Sequence, residues 1–201
     1  ALLFTPGDNL LDGIGTDNDQ GEFLLTDILA GARDRGQRVD AVVHDDPAEL
    51  NGINDRRELA RSESLLYARC ADHWMREGVT CQDPPSIRID PGVRLGRDVV
   101  LEPGVQLRGT TVVDEGALIS TGSILGDCTV GAGAVIGAGC LLRCADLAPL
   151  AQLRPYTVVN GINEKTPERS TAADRVTIGR DARVGPFAHL RMRSTLADGV
   201  H

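Results

Sequence analysis

Ile89-Asp90-Pro91-Gly92-Val93-Arg94, Leu95-Gly96-Arg97-Asp98-Val99-Val100, Leu101-Glu102-Pro103-Gly104-Val105-Gln106: residues 89–106 fall into three blocks of six, each opened by a large aliphatic side chain. The spacing continues at Leu107, Val113, Ile119 and Leu125, slips by one residue, and resumes at Val130, Ile136 and Leu142. It returns at Ile178, Val184, Leu190 and Leu196. Many of these aliphatics are followed by Gly, Asp or Glu, as at Gly96, Glu102, Asp114, Gly131 and Gly179. A second small or β-branched residue often stands two places before, as with Val93, Val99 and Val105.

A period of six is neither the 3.6 of a helix nor the 2 of a half-buried strand. It fits a solenoid in which three hexads close one triangular coil, with the aliphatic pointing inward and the following small or acidic residue easing the corner. The expected fold of this part is a left-handed parallel β-helix, an exception to the right-handed crossover rule. Composition agrees. Only 3% of the chain is aromatic, and four of the six aromatic residues precede residue 85, so the second half builds its core from Val, Ile, Leu and Ala. A prism that narrow stacks aliphatics of similar size and has no room for rings. Ten hexads between 89 and 142 make about three coils, and three or more are needed for a stable stack. Residues 146–177 break the rhythm with the polar run Asn160-Gly161-Ile162-Asn163-Glu164-Lys165-Thr166-Pro167 and are expected to form an extruded loop. Lys165, the only lysine, reads as a solvated loop cation.

Charge divides the chain at the same place. Residues 1–85 hold 8 Arg and 17 acids, whereas residues 86–201 hold 13 basic and 12 acidic residues. Two domains with different cores are expected. The overall charge of −8 lacks the basic stripe that a nucleic-acid surface needs. No run approaches the ~18 consecutive apolar residues of a membrane span, and the N-terminus has no signal-peptide pattern. A soluble, cytoplasmic protein is expected. The five cysteines (70, 81, 128, 140, 144) are odd in number and form no C-x-x-C pair, so they read as small hydrophobes rather than a disulfide or zinc framework. The chain begins without Met at Ala1 and ends at His201 inside a repeat, and it reads as an internal segment of something longer.

Ahead of the hexads, Gly21-Glu22-Phe23-Leu24-Leu25-Thr26-Asp27 leads into a helix that Gly36 stops, and Val39–His44 alternates like a strand. A longer helix is predicted from about Arg57 to Glu77, with Leu59, Leu66, Cys70 and Trp74 on one face, packing against the preceding α/β segment. Asp55 and Glu58 make a capping-box-like start, Gly78 closes the helix, and Asp83-Pro84-Pro85 prevents its continuation. His44 and His73 read as a strand-end and a packing histidine.

These pieces, in this order, resemble the bacterial bifunctional UDP-N-acetylglucosamine pyrophosphorylase/glucosamine-1-phosphate N-acetyltransferase family. The resemblance rests on Gly21–Asp27, Gly52-Ile53-Asn54-Asp55-Arg56, the helix from Leu59 to Trp74, the hexads, and Gly185-Pro186-Phe187-Ala188-His189-Leu190-Arg191. It implies that 1–54 is the end of a Rossmann-like uridyltransferase domain, 55–85 a linker helix, and 86–201 the start of a left-handed β-helix acetyltransferase domain with a loop inserted at about 146–177. It also implies UTP and acetyl-CoA as co-substrates, Mg²⁺ at the uridyltransferase site, sugar phosphates and a nucleotide-sugar as ligands, and a homotrimer serving cell-wall precursor synthesis. By position, Asn54 matches the asparagine that helps hold Mg²⁺ and the nucleotide-sugar; the plain reading of the same stretch is helix capping, which Asp55 can do alone. Arg191 matches the arginine of the acetyl-acceptor site, where a guanidinium forks onto the sugar phosphate. The family follows it with Pro-Gly, and this chain with Met192-Arg193, so Arg193 is expected to substitute in part. His201 matches a position before the family's active-site histidine, and His189 one where the family varies, so no catalytic residue is assigned. With the Gly-rich phosphate loop absent, the chain alone is expected to be inactive in both reactions. Two other readings keep the fold and change the function: a sugar-phosphate nucleotidyltransferase with a β-helix tail, and a non-catalytic trimerisation module.

Overall fold

Hydrogen bonds between coils, rather than within them, build the larger part of this protein. The computed structural model describes residues 10–16, 19, 21, 23–24, 26–40, 43, 52–163 and 171–201, and the chain divides into two compact units, Ala1–Ile53 and Asn54–His201.

In the first unit a helix, α1 (Asp27–Asp34), follows Thr26 and ends just before Gly36, whose φ of +72° takes the chain out of the helix. Ile28 and Ala32, one turn apart, are buried together with Ile14 packed against them. Of the strand expected over 39–44, Ala41, Val42 and His44 lie outside the described residues, and Val39, Asp40 and Val43 are not in a strand.

The second unit opens with α2 (Arg56–Arg76). Asp55 accepts hydrogen bonds from the Arg57 and Glu58 amides, and the Glu58 carboxylate reaches back to the Asp55 amide at 3.3 Å, completing the box. At the other end the Val79 amide bonds the Trp74 carbonyl and the Gly78 amide that of Met75, the paired bonds of a Schellman stop with Gly78 at φ +98°. The buried face differs from the expected one. Ala71 is buried, with Cys70 and Trp74 packed beside it against Val79, Ile87 and Ile89 of the first coil. Arg88 lies over the Tyr67 ring and pairs with Glu63. Leu59 and Leu66 are 54% and 44% exposed. Trp74 thus packs on the solenoid that follows, because the Schellman turn folds the chain straight back onto the C-terminal half of α2.

Among the described residues, eighteen short strands then form three six-stranded parallel sheets, one per face of a triangular prism of six coils. Each inward aliphatic stacks on the equivalent residue of the next coil. On the first face the column is Cys81, Leu101, Ile119, Ile136, Leu153, Val184. The second runs Ile89, Leu107, Leu125, Leu142, Val159, Leu190, and the third Leu95, Val113, Val130, Leu147, Ile178, Leu196. Pairing starts at Thr80–Cys81, one strand ahead of the first hexad. The ladder also runs unbroken through Ala145–Leu147, Gln152–Leu153 and Val158–Asn160, so the interruption expected at 146–177 shrinks to the residues between Asn160 and Val176. A second five-residue step, Leu142 to Leu147, had put the coil after it out of phase with the count. The polar run 164–170, with Lys165, lies outside the described residues.

Residues two places before each aliphatic fill the inner corners. Most are Val or Ala, and three are hydroxyl residues whose side chains donate to carbonyls: Thr111 to Arg108, Ser123 to Gly137 and Thr157 to Arg154, at 2.7–2.8 Å. The residue after each aliphatic does different work from that expected. A Cβ on Gly131 would stand 2.5 Å from the Pro149 amide nitrogen of the next coil, so glycine there permits close approach of backbones. The left-handed turn comes two residues later, at Gly133 or its equivalents. Outward positions separate the faces. Val100, Leu118 and Val135 form a partly exposed aliphatic stripe on the first face and Ile124, Leu141 and Val158 one on the second, while the third carries Thr129, Asp146, Thr177 and Thr195.

Gly126 and Gly131 occupy the same place in successive hexads, but a Cβ on Gly126 meets nothing within 4 Å. Urea unfolding is expected to show Gly131→Ala destabilised by about 1–3 kcal/mol from overpacking and Gly126→Ala within about 0.5 kcal/mol of the parent.

Candidate functional site

Asn54 sits just outside α2, exposed, its amide N–H donating to Glu58 Oε2 at 2.6 Å. Capping falls to Asp55, whose carboxyl is held below its usual range by the Glu58 amide and then by the Arg57 side chain. An amide oxygen suits Mg²⁺ as a hard ligand. The Asp55 and Glu58 carboxylates are engaged in the cap and with Arg57, however, and the described residues contain no group of three His, Cys, Asp or Glu placed to hold a metal. Asn54 therefore fits as one ligand of such a site; its immediate neighbours do not complete it.

Arg191 is the last residue of the strand His189–Arg191 on the second face of the sixth coil. It is exposed and stands in register with Asn160. Its backbone carbonyl accepts from the Ser194 amide at 3.1 Å, closing the corner Arg191-Met192-Arg193-Ser194. Arg191 and Asn54 do not share a site. The C-terminal half of α2 covers the first coil, and Arg191 lies five coil steps away, about 24 Å at the strand spacing of a sheet.

Arg193, expected to substitute in part for the family's phosphate contact, donates its Nε–H to Asp174 Oδ1 at 2.8 Å, with its side chain 70% exposed. His189 is exposed on the same strand, in register with Val158, and His201 is exposed at the last position. His73 sets its ring edge-on to Trp74, centroids 4.9 Å apart. His44 lies outside the described residues. All five thiols are pushed up by burial, Cys128 to about 12, so none is a ready nucleophile.

What the sequence reading missed lies where the inserted segment rejoins the third face. Arg175 forks onto Asp146 with two bonds of 2.6 Å and donates further to the Asp127 and Ala145 carbonyls. Asp174, beside it, accepts from the Thr171 amide and hydroxyl and from Arg193. Asp146 belongs to a strand rather than to the loop, and its pairing with a residue 29 places on becomes visible only once the coils stack. The two aromatics of the solenoid, Tyr156 and Phe187, lie outside the prism at consecutive turns of one corner, rings stacked at 5.5 Å and 57% and 75% exposed.

A prism of three parallel sheets with one inward aliphatic per hexad defines the class: a hexapeptide-repeat β-solenoid. Within that class, the chain is related along nearly its whole length to the bifunctional GlmU proteins. It is 39% identical over 188 residues to bifunctional protein GlmU of Micrococcus luteus, covering 94% of this chain and 31% of that protein. It is 41% identical over 191 residues to that of Sorangium cellulosum, covering 95% and 33%. The chain thus spans about a third of the length of these relatives. No family model matches it. Among solved structures, the acetyltransferase domain of PglB from Neisseria gonorrhoeae FA1090 aligns over 66% of this chain and 54% of its own, at 16% identity and a TM-score of 0.30, too remote to bear on chemistry.

The Asp146–Arg175 pair sets an expectation with pH. Arg175 holds the Asp146 carboxyl below its unfolded value, and Asp174 is lowered by Thr171 and then Arg193. Groups with a depressed folded pKa stabilise above the unfolded value and lose that contribution as pH falls through the folded one. Thermal midpoints are therefore expected to drop below about pH 4, and the drop is expected to be shallower in Asp146→Asn, with a lower plateau at neutral pH.

Proposed function

We propose that this chain carries residues of two separate centres in an enzyme that builds UDP-N-acetylglucosamine: acetyl transfer from acetyl-CoA to glucosamine 1-phosphate, then uridylyl transfer from UTP to N-acetylglucosamine 1-phosphate. The observation that carries the reading is the 39–41% identity to bifunctional GlmU proteins over 94–95% of the chain, a span that takes in both units. In this reading 1–54 is the remnant of a Rossmann-like uridyltransferase domain, α2 links it to the solenoid, and the solenoid coils left-handedly.

Arg191 is the phosphate ligand of the acetyl acceptor. Its guanidinium offers parallel N–H donors to two phosphate oxygens, and no carboxylate among the described residues is paired with it. Anchoring the phosphate orients the sugar amine toward the thioester carbonyl, so that an N–C bond forms as the C–S bond of acetyl-CoA breaks. The departing proton goes to a base that we do not assign to this chain. Asn54 supplies an amide oxygen at the uridyltransferase centre. With Asn54 as one of its ligands, a Mg²⁺ ion would supply charge neutralisation for the phosphates in uridylyl transfer.

The outward stripes Val100–Leu118–Val135 and Ile124–Leu141–Val158 support a homotrimer, since two aliphatic faces of a prism pack on two neighbours while the third, with its threonines and the Asp146–Arg175 pair, stays wet. We place the enzyme in the cytoplasm, where its nucleotide and thioester substrates are made; no described helix is long and apolar enough to cross a membrane.

In the longer enzyme, Arg191→Gln is expected to raise the KM for glucosamine 1-phosphate at least tenfold and leave uridylyl transfer intact, with Asn54→Ala doing the reverse; the 201-residue chain alone is expected to turn over in neither assay. An unchanged acetyl-transfer kcat/KM in Arg191→Gln would remove the phosphate assignment and favour a solenoid that only assembles subunits. Light scattering tests the assembly: Leu118→Glu is expected to shift a trimer to monomer, and a trimer that persists would clear that face of the interface.

A further inference from the structure

The corner that presents Arg191 is closed by the Ser194 amide on the Arg191 carbonyl at 3.1 Å, and its third residue, Arg193, has a φ of +64°. Met192 is not in the positive-φ region, so the corner has the form of a type II turn, whose third position calls for glycine. Arginine carries a Cβ and pays for this backbone in a way glycine does not. Seven other non-glycine residues of the solenoid also turn through positive φ, and Arg193 is held there through its side chain as well as its backbone.

Asp174 holds it from two directions. Its backbone carbonyl accepts the Arg193 amide at 3.0 Å, and its carboxylate Oδ1 accepts Arg193 Nε at 2.8 Å. The acid is 4% exposed and is itself fixed, because Oδ2 accepts the Thr171 amide at 2.8 Å and the Thr171 hydroxyl at 3.0 Å. It ends the single turn Ala172–Asp174, directly before the strand that returns the inserted segment to the third face, and Arg175 next to it is clamped on Asp146. The inserted segment therefore delivers a buried, doubly anchored carboxylate to a corner of the sixth coil whose turn carries arginine where glycine fits best.

We infer that Asp174 is a positioning residue for Arg191: it holds Arg193 in the left-handed conformation, and through that turn fixes the end of the strand from which Arg191 meets a phosphorylated ligand. The inference rests on the reading of Arg191 as the sugar-phosphate contact. Its structural half, a glycine-free turn held by an acid from the insert, stands on the turn geometry alone. An amide in place of the acid keeps only one oxygen acceptor, so Asp174→Asn must release either the Thr171 donors or Arg193. Glycine at 193 needs no holding. The two substitutions together should undo what the first does, which a general loss of packing around the insert would not permit.

Titration calorimetry of the full chain with glucosamine 1-phosphate, and with inorganic phosphate as a second probe, tests this. Asp174→Asn is expected to weaken glucosamine 1-phosphate binding at least fivefold. Asp174→Asn combined with Arg193→Gly is expected to return it to within twofold of the parent. Affinity unchanged in Asp174→Asn, or a double variant as weak as the single one, would overturn the inference. Arg191→Gln separates the two readings. If it binds as tightly as the parent, or if the parent binds neither probe, the phosphate assignment falls by itself. Thermal midpoints then decide the positioning claim. Arg193→Gly is expected to recover at least half of the midpoint lost in Asp174→Asn, and shifts that simply add would refute it.

Discussion

The stability of this molecule hangs on register between coils. A strand of two or three residues is worth almost nothing alone, and each inner one here survives because the strands of the coils before and after it bond its backbone, as Ile119 sits between Leu101, 18 residues earlier, and Ile136, 17 ahead. The same register stacks the inward aliphatics into three continuous columns. Backbone pairing and side-chain burial are therefore one constraint, and an aliphatic displaced by one position would turn outward and unpair its neighbours. The helix α2 closes the first coil against water with Ala71 and Trp74, which a repeat stack needs at an exposed end.

Corners escape that constraint. The turn between the second and third faces takes six residues in the second coil, five in the third and fourth, and nineteen from Val159 to Ile178 in the fifth, yet every flanking aliphatic returns to its column. The cost of a longer corner is loop-closure entropy, which grows slowly with length. What such a corner gains is chemistry, because polar residues can leave the prism there and come back paired. Arg175 and Asp174 do this, tying the end of the insert to Asp146 in the fourth coil and Arg193 in the sixth. The stacked Tyr156 and Phe187 belong to the same logic: rings excluded from the narrow interior occupy a corner outside it.

The candidate site residues follow the architecture. Asn54 precedes the helix that covers the first coil, and Arg191 ends a strand of the sixth. The two proposed roles therefore fall on different parts of a chain that spans about a third of the relatives it resembles.

The hexad spacing, the missing aromatics and the α2 caps were legible in the chain because each is local: a period, a composition, a Gly after a helix. Their count of coils was not, since two five-residue corners reset the phase and hid Leu147, Leu153 and Val159 inside what read as a loop. The residues that Ala71 and Trp74 meet were missed for a similar reason, as Val79, Ile87 and Ile89 come after the helix in the chain and belong to the first coil. Asn54 and Arg191 stood out by resemblance, but the commitment of Arg193 to Asp174 did not, because a salt bridge across 19 residues has no sequence signature. Periodicity alone determined that this chain stacks aliphatics in a triangular solenoid, since a period of six belongs to neither a helix nor a half-buried strand. Which polar residues meet at its corners was decided only by the stacking, since coil height, not sequence distance, sets who can touch.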